Sequence, residues 1–207
     1  MGKNVANNSI ILIYIILIKE MIPIKNKKKK LQATIEEMTN FALNYVEKFA
    51  PSKQQLKTYL LKKYLTSKAI NIKKSDISDL IDIVLEDLEK SKFINDKFYS
   101  ESKAKSLIQR GASINKIRNY LFSKGVGEKY IKNTIEKINE KNEDQDFFSA
   151  IKICKKKRIG PSRHEDNRSL FYKKDIGVLA RSGFNFDVSK RVMDLEKDEY
   201  LKIINLL

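Results

Sequence analysis

The sequence contains one cysteine, one histidine, three prolines, seven glycines and no tryptophan in 207 residues. A single cysteine, Cys154, excludes an internal disulfide framework. Its neighbours Lys155, Lys156 and Lys157 favour a thiolate, but its helical spacing from Ala150 and Ile151 marks it as a core-facing residue. One histidine, His164, and one cysteine do not make a zinc site of any usual composition, nor a His-based triad. A G-x-x-x-x-G-K-S/T loop is absent, so no nucleotide site of that type is expected. The longest uncharged apolar block, Ser9 to Ile18, is well short of the roughly 20 residues that span a bilayer. Runs that alternate β-branched and polar residues are scarce, and few glycines or prolines punctuate the chain. These absences describe an all-α, cytoplasmic protein without cofactor or metal.

What is present is a pattern that occurs twice. Ser113 to Val126 reads as a short amphipathic helix stopped by Gly125, and Asp175 to Phe184 repeats the device around Gly183. In each, a leucine (Leu121, Leu179) stands four residues before the glycine and an apolar residue (Val126, Phe184) follows it directly. A C′ glycine supplies the left-handed backbone that ends a helix, and the residue after it folds back onto the last turn. Two such units point to repeated small helical modules.

The rest of the chain extends this reading. Thr34 with Glu37, and Ser52 with Gln55, form capping boxes, and Ser75 and Asn95 read as further N-caps. Ile77, Leu80, Ile81, Val84, Leu85 and Leu88 make a helical stripe, and Ile131, Ile135 and Ile138 another. The expected organisation is an N-terminal extension (1–33) followed by three-helix modules at 34–91, 95–142 and 146–207. Each is small for an independent domain, so neighbours lean on one another, with hinge freedom between them. Within the extension, Met21 is the simplest true start. An interfacial anchor helped by Lys27 to Lys30 is the alternative.

The formal net charge is +16, and it is uneven. The excess lies in residues 1–31, 101–142 and 150–175, each at +6, while 32–100 is nearly neutral. Clustered positive charge favours a polyanionic partner, by counterion release and by steering. The competing explanation is the Lys-, Asn- and Ile-rich usage of an AT-rich genome.

These residues resemble the RecX family of bacterial recombinase regulators, from about residue 34 to 195. The resemblance is carried by the turn Ile94-Asn-Asp-Lys-Phe98, the stop Arg110-Gly111, the turn Leu121-Phe-Ser-Lys-Gly-Val126, the basic Gly-Pro segment Lys156-Lys-Arg-Ile-Gly-Pro161 and the ending Leu179-Ala-Arg-Ser-Gly-Phe184. The Gly-Pro form and the Phe49-Ala-Pro-Ser52 junction are similar to alphaproteobacterial members. Tyr99 departs from the small residue usual in the family, and residues 1–30 have no family counterpart. The resemblance implies an elongated, curved rod of tandem three-helix modules that binds the RecA recombinase. It also implies damping of strand exchange, ATP hydrolysis and co-protease activity from the groove of the RecA–DNA filament, and direct DNA binding by some members.

On that reading the chain is a monomer without catalytic activity, regulating DNA repair and the SOS response. It contacts RecA and single- or double-stranded DNA non-specifically. The candidate contact residues are Lys116, Arg118, Lys124, Lys129 and Lys132 in the middle module, with Lys155, Lys156, Lys157, Arg158, Arg163 and Arg168 in the third. Ile117, Tyr120, Leu121 and Leu179 belong to the core, and Asp79, Asp82, Glu86 and Asp87 to solvated faces. The alternative is a helix-turn-helix transcriptional regulator, which tandem repeats within one chain disfavour as a palindrome reader. A membrane-surface protein using residues 9–30 is the third reading.

Overall fold

The structure is a computed structural model that describes residues 31–66 and 72–207. The apolar block at 9–18, Met21 and the lysines at 27–30 lie outside the described residues. Among the described residues every regular element is helical. Ten α-helices are α1 (Ile35–Phe49), α2 (Lys53–Leu65), α3 (Lys74–Lys90), α4 (Asp96–Gln109), α5 (Ile114–Ser123), α6 (Glu128–Lys141), α7 (Gln145–Lys157), α8 (Glu165–Arg181), α9 (Phe186–Met193) and α10 (Lys197–Leu206). A 3-10 turn, Gly160–Ser162, stands between α7 and α8. No helix among them is long and apolar enough to cross a membrane.

Local chemistry explains most helix ends. The Ser52 hydroxyl accepts from Gln55 N–H and the Gln55 side chain accepts from Ser52 N–H, a complete capping box. At Thr34 only half of the expected box forms. Its hydroxyl accepts from Glu37 N–H, while the Glu37 carboxylate turns outward to Gln32 N–H at 2.8 Å and to the Tyr64 hydroxyl at 3.1 Å. Helix α3 starts two residues earlier than the Ser75 cap expects, and the Ser75 hydroxyl donates to Asp76 instead. Both glycine stops form as the sequence implies. Val126 N–H reaches Leu121 C=O and Phe184 N–H reaches Leu179 C=O, each at 3.2 Å, with Leu121 and Leu179 fully buried.

Buried side chains gather in three clusters. The first joins Met38 and Ala42 of α1, Leu56, Leu60 and Tyr64 of α2, and Ile77 to Leu88 of α3. The second joins Tyr99 and Ala104 of α4, Ile117 and Leu121 of α5, and Ile131 and Ile135 of α6. The third centres on Phe147, Ile151, Cys154, Leu179 and Val192, and α10 closes it with Tyr200 and Ile204. Burying one such aliphatic or aromatic side chain stabilises by about 1.5–3 kcal/mol.

The seams between clusters carry a bonding pattern used twice. At the first seam Ser52 Oγ donates to the Lys124 carbonyl at 2.5 Å, and Lys53 N–H donates to Asp96 Oδ1 at 2.8 Å. At the second, Ser113 Oγ donates to the Ser182 carbonyl at 3.0 Å, and Ile114 N–H donates to Asp146 Oδ1 at 2.7 Å. In both cases an N-cap serine seats under the residue before a C′ glycine. The first N–H of its helix is taken by an aspartate at the start of the helix that opens the next cluster. Each seam therefore carries one bond from a fully buried serine hydroxyl and one from the N–H of the residue after it.

Candidate partner-binding surface

The third cluster is organised around one buried ion pair. The Asp175 carboxylate, 1% exposed, accepts from Gly160 N–H at 2.9 Å and from Arg163 Nε and Nη2 at 2.6 and 2.9 Å. Burial alone would raise its pKa. The Arg163 fork and the Gly160 N–H outweigh that and hold the carboxyl below its usual range. Arg168 donates to the carbonyls of Met193 and Leu195 at 3.0 and 2.6 Å. The guanidinium groups of Arg163 and Arg168 are therefore occupied in tying the 3-10 turn and α8 to the rest of the cluster. Cys154 lies in the same core, and burial, with the Asp175 charge second, pushes its thiol up to about 12. Lysines next to it in sequence do not activate it, because they point to solvent while it points inward.

The other nine candidate cations are on the surface. Lys116 and Lys129 are exposed, with no ion pair among the described residues. Arg118 pairs with Glu128 at 2.6 Å, and Lys132 lies 3.9 Å from Glu136. Both pairs are solvated, and such pairs are worth about 0–1 kcal/mol, so a polyanion can displace them. Lys124 caps α5, gives its carbonyl to Ser52, and carries its ammonium 5.3 Å from the Tyr120 ring. Lys155, Lys156 and Lys157 occupy the exposed last turn of α7, and Arg158 follows in the left-handed conformation. Cations on a last turn also favour the helix dipole, so part of their presence has a structural reason.

The structure adds residues that the sequence reading passed over. The turn at Gly111 seats on α7, where a Cβ added to it would lie 3.1 Å from Lys152 Cβ. Gly111 and Lys152 thus meet across the second seam; Arg110 precedes Gly111, and Lys155 and Lys156 follow Lys152 at helical spacing. The parallel turns Ala50-Pro-Ser52-Lys53 and Gly111-Ala-Ser113-Ile114 are the sequence signal that identifies the seams.

The described residues are thus all-α, with exposed cations on α5, α6 and the end of α7. The class of protein comes from its curated relatives. The chain is 30% identical over 164 residues to the regulatory protein RecX of Myxococcus xanthus, covering 84% of that protein and 76% of this one. It is 26% identical over 206 residues to the regulatory protein RecX of Clostridioides difficile, covering 87% and 90% respectively. The chain belongs to the RecX family of regulatory proteins. No family model matches it, and no solved structure matches it.

Proposed function

We propose that this protein binds a RecA recombinase filament on DNA and inhibits its strand exchange, ATP hydrolysis and co-protease activity. In that role it regulates DNA repair and the SOS response in the cytoplasm. It acts as a monomer, without chemistry of its own. Membership in the RecX family carries the reading, and the exposed cations from Lys116 to Arg158 support it. Units at 34–91, 95–142 and 146–207 each present one face to the polymer. Weak contacts on successive units multiply by effective concentration when their spacing fits. The surface consists of Lys116, Arg118, Lys124, Lys129, Lys132, Lys155, Lys156, Lys157 and Arg158, while Arg163 and Arg168 serve the fold.

Strand exchange with substoichiometric protein tests the proposal. Inhibition well below one chain per recombinase subunit is expected, because a blocked filament fails at a distance from the block. Replacing Lys155, Lys156, Lys157 and Arg158 together by glutamate should weaken filament binding about 10-fold or more at low salt, with circular dichroism unchanged. Full inhibition by the quadruple variant, or ATP hydrolysis by the protein alone, would refute it.

A further inference from the structure

The two seams use the same bonds but do not close equally. At the second, Gly111 lies against the Ser149 carbonyl and Lys152 Cβ, and Phe148 packs half-buried on the third core. At the first, the corresponding positions hold Ala50 and the Tyr99 ring in place of Gly111 and Ser149. Phe98, the counterpart of Phe148, stays 70% exposed beside an open groove of about 370 Å³. Its apolar lining is Val46, Ala50, Pro51, Phe93, Ile94, Phe98 and Tyr99, and its polar lining is Lys92, Asn95, Ser102 and Lys103. No carboxylate lines it. Phe93 and the adjacent Phe49 are also more than half exposed, and water-facing aromatic rings gathered at one place mark an interaction site.

We infer that this groove receives a peptide segment of a partner protein that inserts one bulky apolar side chain and carries carboxylates beside it. The volume leaves room for a bulky apolar side chain among the lining rings. The rim supplies two ammonium groups, Lys92 and Lys103, the latter 5.5 Å from the Tyr99 ring centroid. Charge complementarity selects acidic flanks over neutral or basic ones. None of the groove's lining residues belongs to the basic surface of α5 to α7, and its chemistry holds whatever polymer that surface binds.

The test uses the isotope-labelled full chain and 4-phenylbutyrate, an aromatic ring on a short chain ending in a carboxylate. Affinity in the millimolar range is expected for so small a ligand. Amide shifts should be confined to Ala50, Phe93 to Asn95 and Phe98 to Lys103. The uncharged 4-phenylbutyramide should bind about three- to ten-fold more weakly, and Lys103→Ser with Lys92→Ser should erase that difference. Phe98→Ala should weaken both ligands, and its exposure leaves the fold intact. Shifts elsewhere, no shifts, or equal binding of acid and amide would overturn the inference. Loss of strand-exchange inhibition with retained probe binding would sink the proposed function alone.

Discussion

An alanine at Gly183 tests the second seam, and an alanine at Gly177 on the same helix is its control. At Gly183 the backbone has φ +92°, and an added Cβ would collide with Ser113 Oγ. An L residue in the left-handed region costs about 1–2 kcal/mol. Moving the buried Ser113 hydroxyl also breaks its 3.0 Å bond to the Ser182 carbonyl, a loss of about 1–2 kcal/mol. Gly183→Ala should therefore destabilise by about 2–4 kcal/mol, lowering Tm by about 5–15 °C for a chain of this size. Gly177 lies inside α8, where the nearest atom to an added methyl is the flexible Arg181 Nη1 at 3.4 Å. Gly177→Ala should stabilise by about 0.5–1 kcal/mol, through lower backbone entropy in the unfolded chain. Urea titration followed by circular dichroism measures both. Ser113→Ala added to Gly183→Ala removes the colliding oxygen, so the double variant should fall short of the sum by about 1 kcal/mol. Shifts of the same sign at both glycines, or strict additivity of the pair, would refute the seam geometry.

The Asp175 ion pair and the left-handed Ala50 are open to the same kind of test. Asp175→Asn turns an acceptor toward Arg163 into a donor, and should destabilise by about 2 kcal/mol at pH 7. Because the folded Asp175 pKa is lowered, its stabilisation is present above the unfolded value of about 3.9 and is lost as pH falls through the folded value. The difference between parent and variant in urea midpoint should shrink on acidification, and a constant gap would count against the ion pair. Ala50 sits left-handed at φ 40° as the C-cap of α1. Ala50→Gly should raise stability by about 1 kcal/mol in a thermal melt, and a loss would mean that the methyl is needed at the first seam.

The sequence was most legible where structure is local. The glycine stops, the Ser52 box and the Asn95 cap involve partners within five residues, and all of them formed. The box at Thr34 half-formed because the Glu37 carboxylate went instead to Gln32 N–H and to Tyr64, the latter 27 residues away and invisible to local pattern. The parallel turns mark where the seams lie, but their partners were illegible for the same reason, since Ser52 and Ser113 reach carbonyls 72 and 69 residues on. Two arginines in a basic stretch, Arg163 and Arg168, looked like their neighbours in charge. Only the fold places a buried carboxylate beside one and two open carbonyls beside the other.

That separation among the cations bears on the kind of recognition available. The guanidinium is a planar fork suited to fixed, bidentate partners, and the third cluster spends it that way. Arg163 grips Asp175, Arg168 spans two carbonyls, and Arg191 grips Asp144 at 2.7 and 2.9 Å while lying 4.0 Å from the Phe147 ring. Most of the cations left on the candidate surface are lysines, which are mobile point charges. Bidentate reading of guanine edges in a major groove leans on arginine. A lysine surface instead favours attachment to phosphates or carboxylates by charge alone, indifferent to sequence and sensitive to salt. The division of labour between the two cations thus weighs against a sequence-reading helix-turn-helix protein and in favour of one that lies along a charged polymer.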